Sequence, residues 1–297
     1  MYVEKRLLYP EYDCVIGWGY YFSGVRVKST GEKKAINLEK QFYDILISMD
    51  SLRSDMHRTG SKWLFVLIND KSPYDSPALL DSLRMFDSYV YVKLDENVGC
   101  GGKENILQSI GTYYAPRLFR IDADVRLLTP IDPLFEAFHV FPKLGCVTIN
   151  AGFMGGMLSF NHPNAMYINT AQIGNAVMWD TGVLKEIGCS NPKLRYFDDL
   201  DLVYKAKYRG YNSVMVTAVK GRTVSSGCGG TMDFTKQQEC ARLMEKTNPL
   251  ISVRLNAKGK PIIRYNKNYS TELFGNQIPK ERMSDVAYNI LTELIYE

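Results

Sequence analysis

Residues 122–124 read Asp-Ala-Asp at the end of the apolar run RLFRIDADV. Carboxylates at i and i+2 on a strand share a face, and a bent strand end can aim both at one cation. A hard divalent cation takes oxygen ligands and shares a diphosphate, whose growing charge it neutralises as that group departs. A solvated strand end with turn-forming aspartates writes the same three letters. A second acidic group, Asp198-Asp199-Leu200-Asp201, opens the stretch FDDLDLVYKAKYRGY. Acidic residues suit a helix start, but three in four positions exceed what one cap uses. One of them could be a general base that takes the proton of an acceptor hydroxyl. The third group is Asn97-Val98-Gly99 and Gly101-Gly102 ahead of Lys103. Glycines allow close backbone approach, a helix N-terminus favours anions, and Lys103 adds a point charge. The turn is neither a Walker A loop nor a GxGxxG fingerprint.

Alternating strand and helix signals must position these groups. DCVIGWGYYF (13–22), WLFVLIND (63–70), SYVYVKL (88–94) and RLFRIDADVRLL (117–128) read as strands. Helical spacing covers 35–57, 77–86 and 103–114, with Ile36, Phe42, Ile45, Leu46 and Met49 on one face of the first. A βαβαβαβ order predicts a mostly parallel sheet flanked by helices. Ligands of such sheets bind at the carboxyl ends of the strands, where Asp70, the 95–102 turn, Asp122 and Asp124 fall. Further on, 175–188 reads as a loop entering a short helix, 196–211 as an amphipathic helix and 212–219 as a strand. Then come a helix at 236–246, a basic hairpin around Lys258-Gly259 and a closing helix at 280–296.

The chain of 297 residues, 45% hydrophobic and 23% charged, has globular composition, which excludes disorder, collagen and coiled coil. With 36 Lys+Arg against 32 Asp+Glu the net charge is +4, which permits a polyanionic partner without demanding one. The six cysteines include no CxxC pair, which argues against zinc. MYVEKRLLYPEYD has no apolar h-region and no run reaches ~18 apolar residues, so a cytoplasmic location without membrane span is expected.

A strand ending in Asp70 with Ser72, an Asn97-x-Gly99 turn, Asp122-x-Asp124 and FDDLDL…RGY stand in that order. This order resembles the GT-A fold glycosyltransferases, in particular the family-two-like group, over about residues 60–219. The resemblance implies an α/β, Rossmann-like sheet, and a composition shift toward Lys and Asn near 248 divides the chain into a catalytic domain over 1–247 and a small α+β extension over 248–297. It implies a nucleoside diphosphate sugar as donor, most simply a UDP-sugar, with Mn²⁺ or Mg²⁺ held by Asp122 and Asp124. Asp70, Ser72, Asn97, Gly99, Lys103 and Asp122 would bind the nucleotide. Asp199, with Asp198 beside it, would be the base of an inverting displacement, and Trp179 and Asp180 would meet sugar and acceptor. Against the pattern, the first strand carries GWGYYFSG, the acidic motif begins Phe-Asp-Asp, and His57, His139 and His162 all stand away from the usual third metal ligand.

Arg254, Lys258, Lys260 and Arg264, interleaved with asparagine and tyrosine, form a surface that could track a phosphate backbone or simply be solvated. A compact basic enzyme of this kind also resembles phage enzymes that glycosylate hydroxymethylated pyrimidines in DNA, which would put the protein in a host's cytoplasm. A protein or soluble glycan is the other acceptor class. A catalytically inactive nucleotide-sugar-binding protein is the reading from outside enzymology. Neither the oligomeric state nor the hexose is encoded legibly.

Overall fold

The computed structural model describes residues 1–27, 32–35, 37–123, 125–150, 159–161, 167–170, 175–223, 234–248, 251–257, 259–265 and 283–296. Its strands are β1 (Tyr2–Arg6), β2 (Cys14–Tyr20), β3 (Val25–Val27), β4 (Lys33–Ala35), β5 (Trp63–Asn69), β6 (Tyr89–Lys93), β7 (Arg117–Asp122) and β8 (Val125–Leu127). They continue as β9 (Leu144–Asn150), β10 (Ser159–Asn161), β11 (Tyr167–Thr170), β12 (Ala176–Asp180), β13 (Asn212–Thr223), β14 (Ile251–Leu255) and β15 (Pro261–Tyr265). The helices are α1 (Leu38–Thr59), α2 (Pro77–Arg84), α3 (Gly99–Tyr114), α4 (Asp132–Val140), α5 (Thr181–Ile187), α6 (Asp198–Tyr208) and α7 (Phe234–Thr247). A last helix, α8, spans Asp285–Tyr296.

Among the described residues the main sheet runs β1-β6-β5-β2-β7-β12-β9-β13-β11-β10, and β8 pairs with the end of β13. The four strands β6, β5, β2 and β7 are mutually parallel. Strand β5, WLFVLIN, is buried along its whole length, as a parallel strand covered on both faces must be. Helices α1, α2 and α4 pack one face through Met49, Leu83 and Leu134. Helices α3, α5, α6 and α8 pack the other through Leu107, Leu184, Leu202 and Leu291. Among the described residues no helix is long and apolar enough to cross a membrane.

The GWGY segment explains how α3 lies so close to the sheet. Trp18 and Tyr20 point into the α1 side, and Gly17 and Gly19 face α3. A Cβ on Gly17 would lie 2.2 Å from Leu107 Cδ1, and one on Gly19 3.0 Å from Lys103 Cδ. The two glycines let α3 settle over β2. Gly17→Val should therefore cost about 1–3 kcal/mol by overpacking, read as a lowered urea midpoint.

Residues 2–6, for which the sequence suggested no element, form an edge strand antiparallel to β6. Three sequence expectations are corrected. The chain turns at Ala123, so 117–128 divides into β7 and β8. Helix α3 starts at Gly99 instead of Lys103. Residues 176–180 form a buried strand antiparallel to both β7 and β9, where a loop was expected.

The edge strand is fastened by Glu4. Its carboxylate accepts from Arg84 Nε at 2.7 Å and Nη2 at 2.8 Å, from Tyr89 Oη at 2.9 Å and from Tyr2 Oη at 3.0 Å. The Arg84 bonds, helped by the tyrosines, bring its pKa down to about 2. A depressed carboxyl stabilises the fold above its ordinary value near 4.5, and that contribution fades as pH falls towards 2. Glu4→Gln should be less stable at pH 6 and lose less than wild type between pH 4.5 and 2, measured by urea unfolding at each pH.

Candidate active site

The carboxyl ends of β2, β5, β6 and β7 meet at one edge, and the sequence places Asp70, Asn97, Lys103 and Asp122 there. Asp70 is fully buried and turned towards α3. Its Oδ1 accepts from Val98 N–H at 2.7 Å and its Oδ2 from Gly99 N–H at 3.1 Å. Val98, at the N-cap, makes no side-chain cap bond, so Asp70 supplies the cap across 28 residues of sequence. Asn97 Nδ2 donates back to the Asp70 carbonyl at 3.2 Å. Burial raises the Asp70 carboxyl, and Lys103 and the two N–H donors offset only part of that. Both oxygens hold the turn, so Asp70 shapes this edge from within. Ser72 joins two loops: Oγ accepts from Phe22 N–H at 3.0 Å and donates to Phe22 O at 3.2 Å.

Strand register places Gly17 beside Arg120 and Gly19 beside Asp122, so both charged side chains project to the α3 face. Arg120 Nη2 lies 2.9 Å from Asp122 Oδ1, and Arg120 Nε donates to Glu104 Oε1 of α3 at 2.7 Å. Asp198 and Asp199, in the first turn of α6, complete the group. Phe197, in the left-handed region at φ 67°, turns the chain into that helix. Burial first, then the Asp199 and Glu104 charges, raises the Asp198 carboxyl. Burial also raises Asp122 and Asp199, with Arg120 opposing it in both. Asp122 keeps its side chain 35% exposed. Asp198 is buried, whereas Asp199 is half-buried and accepts its own helix's Leu200 N–H at 2.8 Å. Thus four carboxylates, Glu104, Asp122, Asp198 and Asp199, surround Arg120 with Lys103 nearby.

An excess of anions is what a cation site requires. Among the described residues no three His, Cys, Asp or Glu side chains group closely enough to hold a metal alone. Asp124 lies outside the described residues, so Asp122 is the described half of the Asp122–Asp124 pair. One or two carboxylates fit a Mg²⁺-type ion that keeps waters and takes its remaining oxygens from substrate phosphates. Helix α1 braces the far side of this turn: Ser48 Oγ donates to Val125 O at 3.0 Å and accepts from Leu127 N–H at 3.2 Å.

Trp179 and Asp180 do not join this group. Because β12 runs antiparallel to β7, Asp180 pairs with Arg117 at the opposite edge of the sheet, about 16 Å along the strand from Asp122. Trp179 is 1% exposed in the core. Asp180 caps α5 through Val183 N–H at 3.1 Å and meets Arg117 Nη1 at 2.7 Å. The end of β12 that reaches the site carries Asn175, whose carbonyl accepts Asp122 N–H at 2.7 Å.

Arg120 and Glu104 were not anticipated. The R-x-D-x-D spacing, which puts Arg120 on the face of Asp122, was the available signal. Arg254 and Lys260 are exposed on the β14–β15 hairpin, which leans on α7 through Gln238 Nε2 and Gly259 O at 2.6 Å. Lys258 and the Arg264 side chain lie outside the described residues.

No family model and no curated protein matches the sequence. Solved structures do resemble the fold. S. aureus TarS 1-349 in complex with UDP matches at TM-score 0.52 and 16% identity, over 78% of this chain and 64% of that one. GalNAc-T7 with UDP, GalNAc and Mn2+ matches at 0.53 and 11%, over 79% and 48%. S. aureus TarS 1-349 in complex with UDP-GlcNAc matches at 0.53 and 14%, over 78% and 65%. The chain spans less than two thirds of the length of each. The parallel β6-β5-β2-β7 core, the antiparallel β12 and these likenesses together identify the architecture as the GT-A glycosyltransferase fold.

Proposed function

We propose that the protein is an inverting, metal-assisted glycosyltransferase that moves a hexose from a nucleoside diphosphate sugar, most simply a UDP-sugar, to an acceptor hydroxyl. The observation that carries this reading is the convergence of Asp122, Asp198 and Asp199 around Arg120 at the carboxyl edge of the sheet. The similar structures bind UDP, UDP-GlcNAc, or UDP with Mn2+, which supports the donor class.

The nucleotide rests on the edge shaped by Asp70, Ser72, Asn97 and Gly99, with Lys103 near its phosphates. Asp122 and Asp124 would hold the cation, which would supply charge neutralisation at the leaving diphosphate. Arg120, fixed by Glu104, orients the Asp122 carboxylate. Asp199, the more accessible aspartate of its pair, takes the acceptor hydroxyl proton. The acceptor oxygen then bonds to the anomeric carbon from the face opposite the diphosphate. The bond to the diphosphate breaks, its electron pair leaves with the diphosphate, and the configuration inverts.

Asp122→Asn and Asp124→Asn should each weaken UDP binding at least tenfold in Mn²⁺ and leave it unchanged in EDTA, measured by calorimetry. Equal affinities in Mn²⁺ would remove the metal assignment.

For the acceptor, we favour hydroxymethylated pyrimidine in DNA, on the exposed Arg254 and Lys260 beside α7. The test is a screen of UDP-, GDP- and CMP-sugars with Mn²⁺ or Mg²⁺, with and without hydroxymethylcytosine DNA. Nucleotide release that rises only with modified DNA supports both donor and acceptor. Release indifferent to DNA keeps the transferase and turns the acceptor to proteins or glycans. No release and no nucleotide binding would point to a non-nucleotide partner.

A further inference from the structure

The 191–195 segment crosses the start of α3 at backbone contact. A Cβ on Gly101 would lie 2.3 Å from Asn191 O and 2.4 Å from Leu194 O. Arg195 continues along this line: its Cγ would lie 3.1 Å from a Cβ on Gly99, and its Nη1 reaches Asn97 Oδ1 at 3.4 Å. The opposite side of the segment faces α7, where Arg195 N–H meets Cys240 Sγ at 3.4 Å. Between segment and helix is a cavity of about 290 Å³ lined by Lys193, Arg195, Lys236, Glu239, Cys240 and Leu243.

The cavity's chemistry is asymmetric. Three cations and one carboxylate stand over a floor of Cys240 and Leu243. Lys236 lies in the first turn of α7, at the positive end of the helix dipole. The cavity, at about 290 Å³, has room for many more atoms than one water molecule. A bare phosphate, with five heavy atoms, leaves much of it empty. Lys193, Arg195, Lys236 and Glu239 are exposed, so the cavity opens outward and admits a group attached to something larger.

We propose that this cavity receives a phosphate group carried on the acceptor, so that the acceptor is a phosphodiester chain and not a neutral sugar. The word acceptor rests on the glycosyltransferase reading; the phosphate site itself rests on the cavity. The donor's own diphosphate belongs at Asp122, on the sheet side of α3. Lys193, Arg195 and Lys236 would pair with the phosphate oxygens, and the apolar floor would take the attached carbon groups.

The test uses the full chain with UDP and Mn²⁺ at saturation, which fills the donor site. Binding of a hexathymidylate, as a plain phosphodiester probe, and of inorganic phosphate is measured by fluorescence anisotropy and calorimetry at two salt concentrations. Expected is oligonucleotide binding in the presence of UDP, weakened at least tenfold and with a shallower salt slope in Lys193→Glu and Lys236→Glu. UDP affinity in both variants should stay within twofold of wild type. Equal oligonucleotide binding by wild type and both variants overturns the proposal. So does mutual exclusion of oligonucleotide and UDP, which would make the cavity part of the donor site. Binding of inorganic phosphate alone, with no oligonucleotide effect, overturns the acceptor assignment in favour of a free-ion site. Failure to bind UDP overturns the glycosyltransferase reading, and charge-dependent oligonucleotide binding would then still support the phosphate site.

Discussion

Asp199→Asn should lower turnover by roughly 10²–10⁴-fold and leave UDP affinity within a few-fold of wild type. The carboxylate is the proton acceptor in the reading above, and an amide of the same shape cannot accept a proton at neutral pH. The substitution is nearly isosteric, and the amide oxygen can still accept the Leu200 N–H that Asp199 accepts at 2.8 Å, so α6 keeps its start. Loss confined to kcat, with calorimetric UDP binding retained, is the pattern of a group needed for chemistry and not for ground-state binding. Wild-type turnover in this variant would dismiss Asp199 as base. If Asp198→Asn produces the loss instead, the role moves to the more buried neighbour, and Asp199 becomes a helix-start residue.

The second large effect is on stability. Lys205 Nζ and Asp201 Oδ2 lie 2.7 Å apart, with side chains 2% and 1% exposed. Asn248 Nδ2 donates to the other Asp201 oxygen at 3.1 Å, tying the end of α7 to α6. Removing one member of a buried pair strands the other charge in a medium that cannot solvate it. Lys205→Met should cost about 3–5 kcal/mol, measured by urea unfolding. The Lys205→Met/Asp201→Leu double variant should regain most of that loss, because no charge is left behind. A single variant within about 0.5 kcal/mol of wild type would mean that water reaches the pair.

Much of this architecture can be read from local pattern. WLFVLIN, YVYVK and RLFRID are apolar runs closed by polar turns, and each becomes a parallel strand of the core. FDDLDLVYKAKY carries its own helix start and becomes α6. What escaped depends on partners distant in sequence. AVMWD is short and apolar, and only pairing with β7 and β9 makes it a strand. That pairing carries Trp179 and Asp180 to the far edge. Asp70 ends its strand as a site residue should, but the orphan N–H groups that claim its oxygens come from a turn that follows the next strand. Glu104 sits one residue after Lys103, and its meaning appears only once α3 lies over β2. The glycines of GWGY looked like a departure from the expected first strand and are what permits that overlay.

The run from Lys193 to Asp199 joins two charged regions through one buried anchor. Leu194 is fully buried with Cys240, Met244 and Ile251, and Tyr196 and Phe197 pack on the same small core. The next two residues are the acidic pair. One stretch of seven residues, 193–199, therefore ends at a cationic wall on one side and at the acidic cluster on the other. Two ligands that both displaced this stretch would be coupled, and each would change the other's affinity by the same factor.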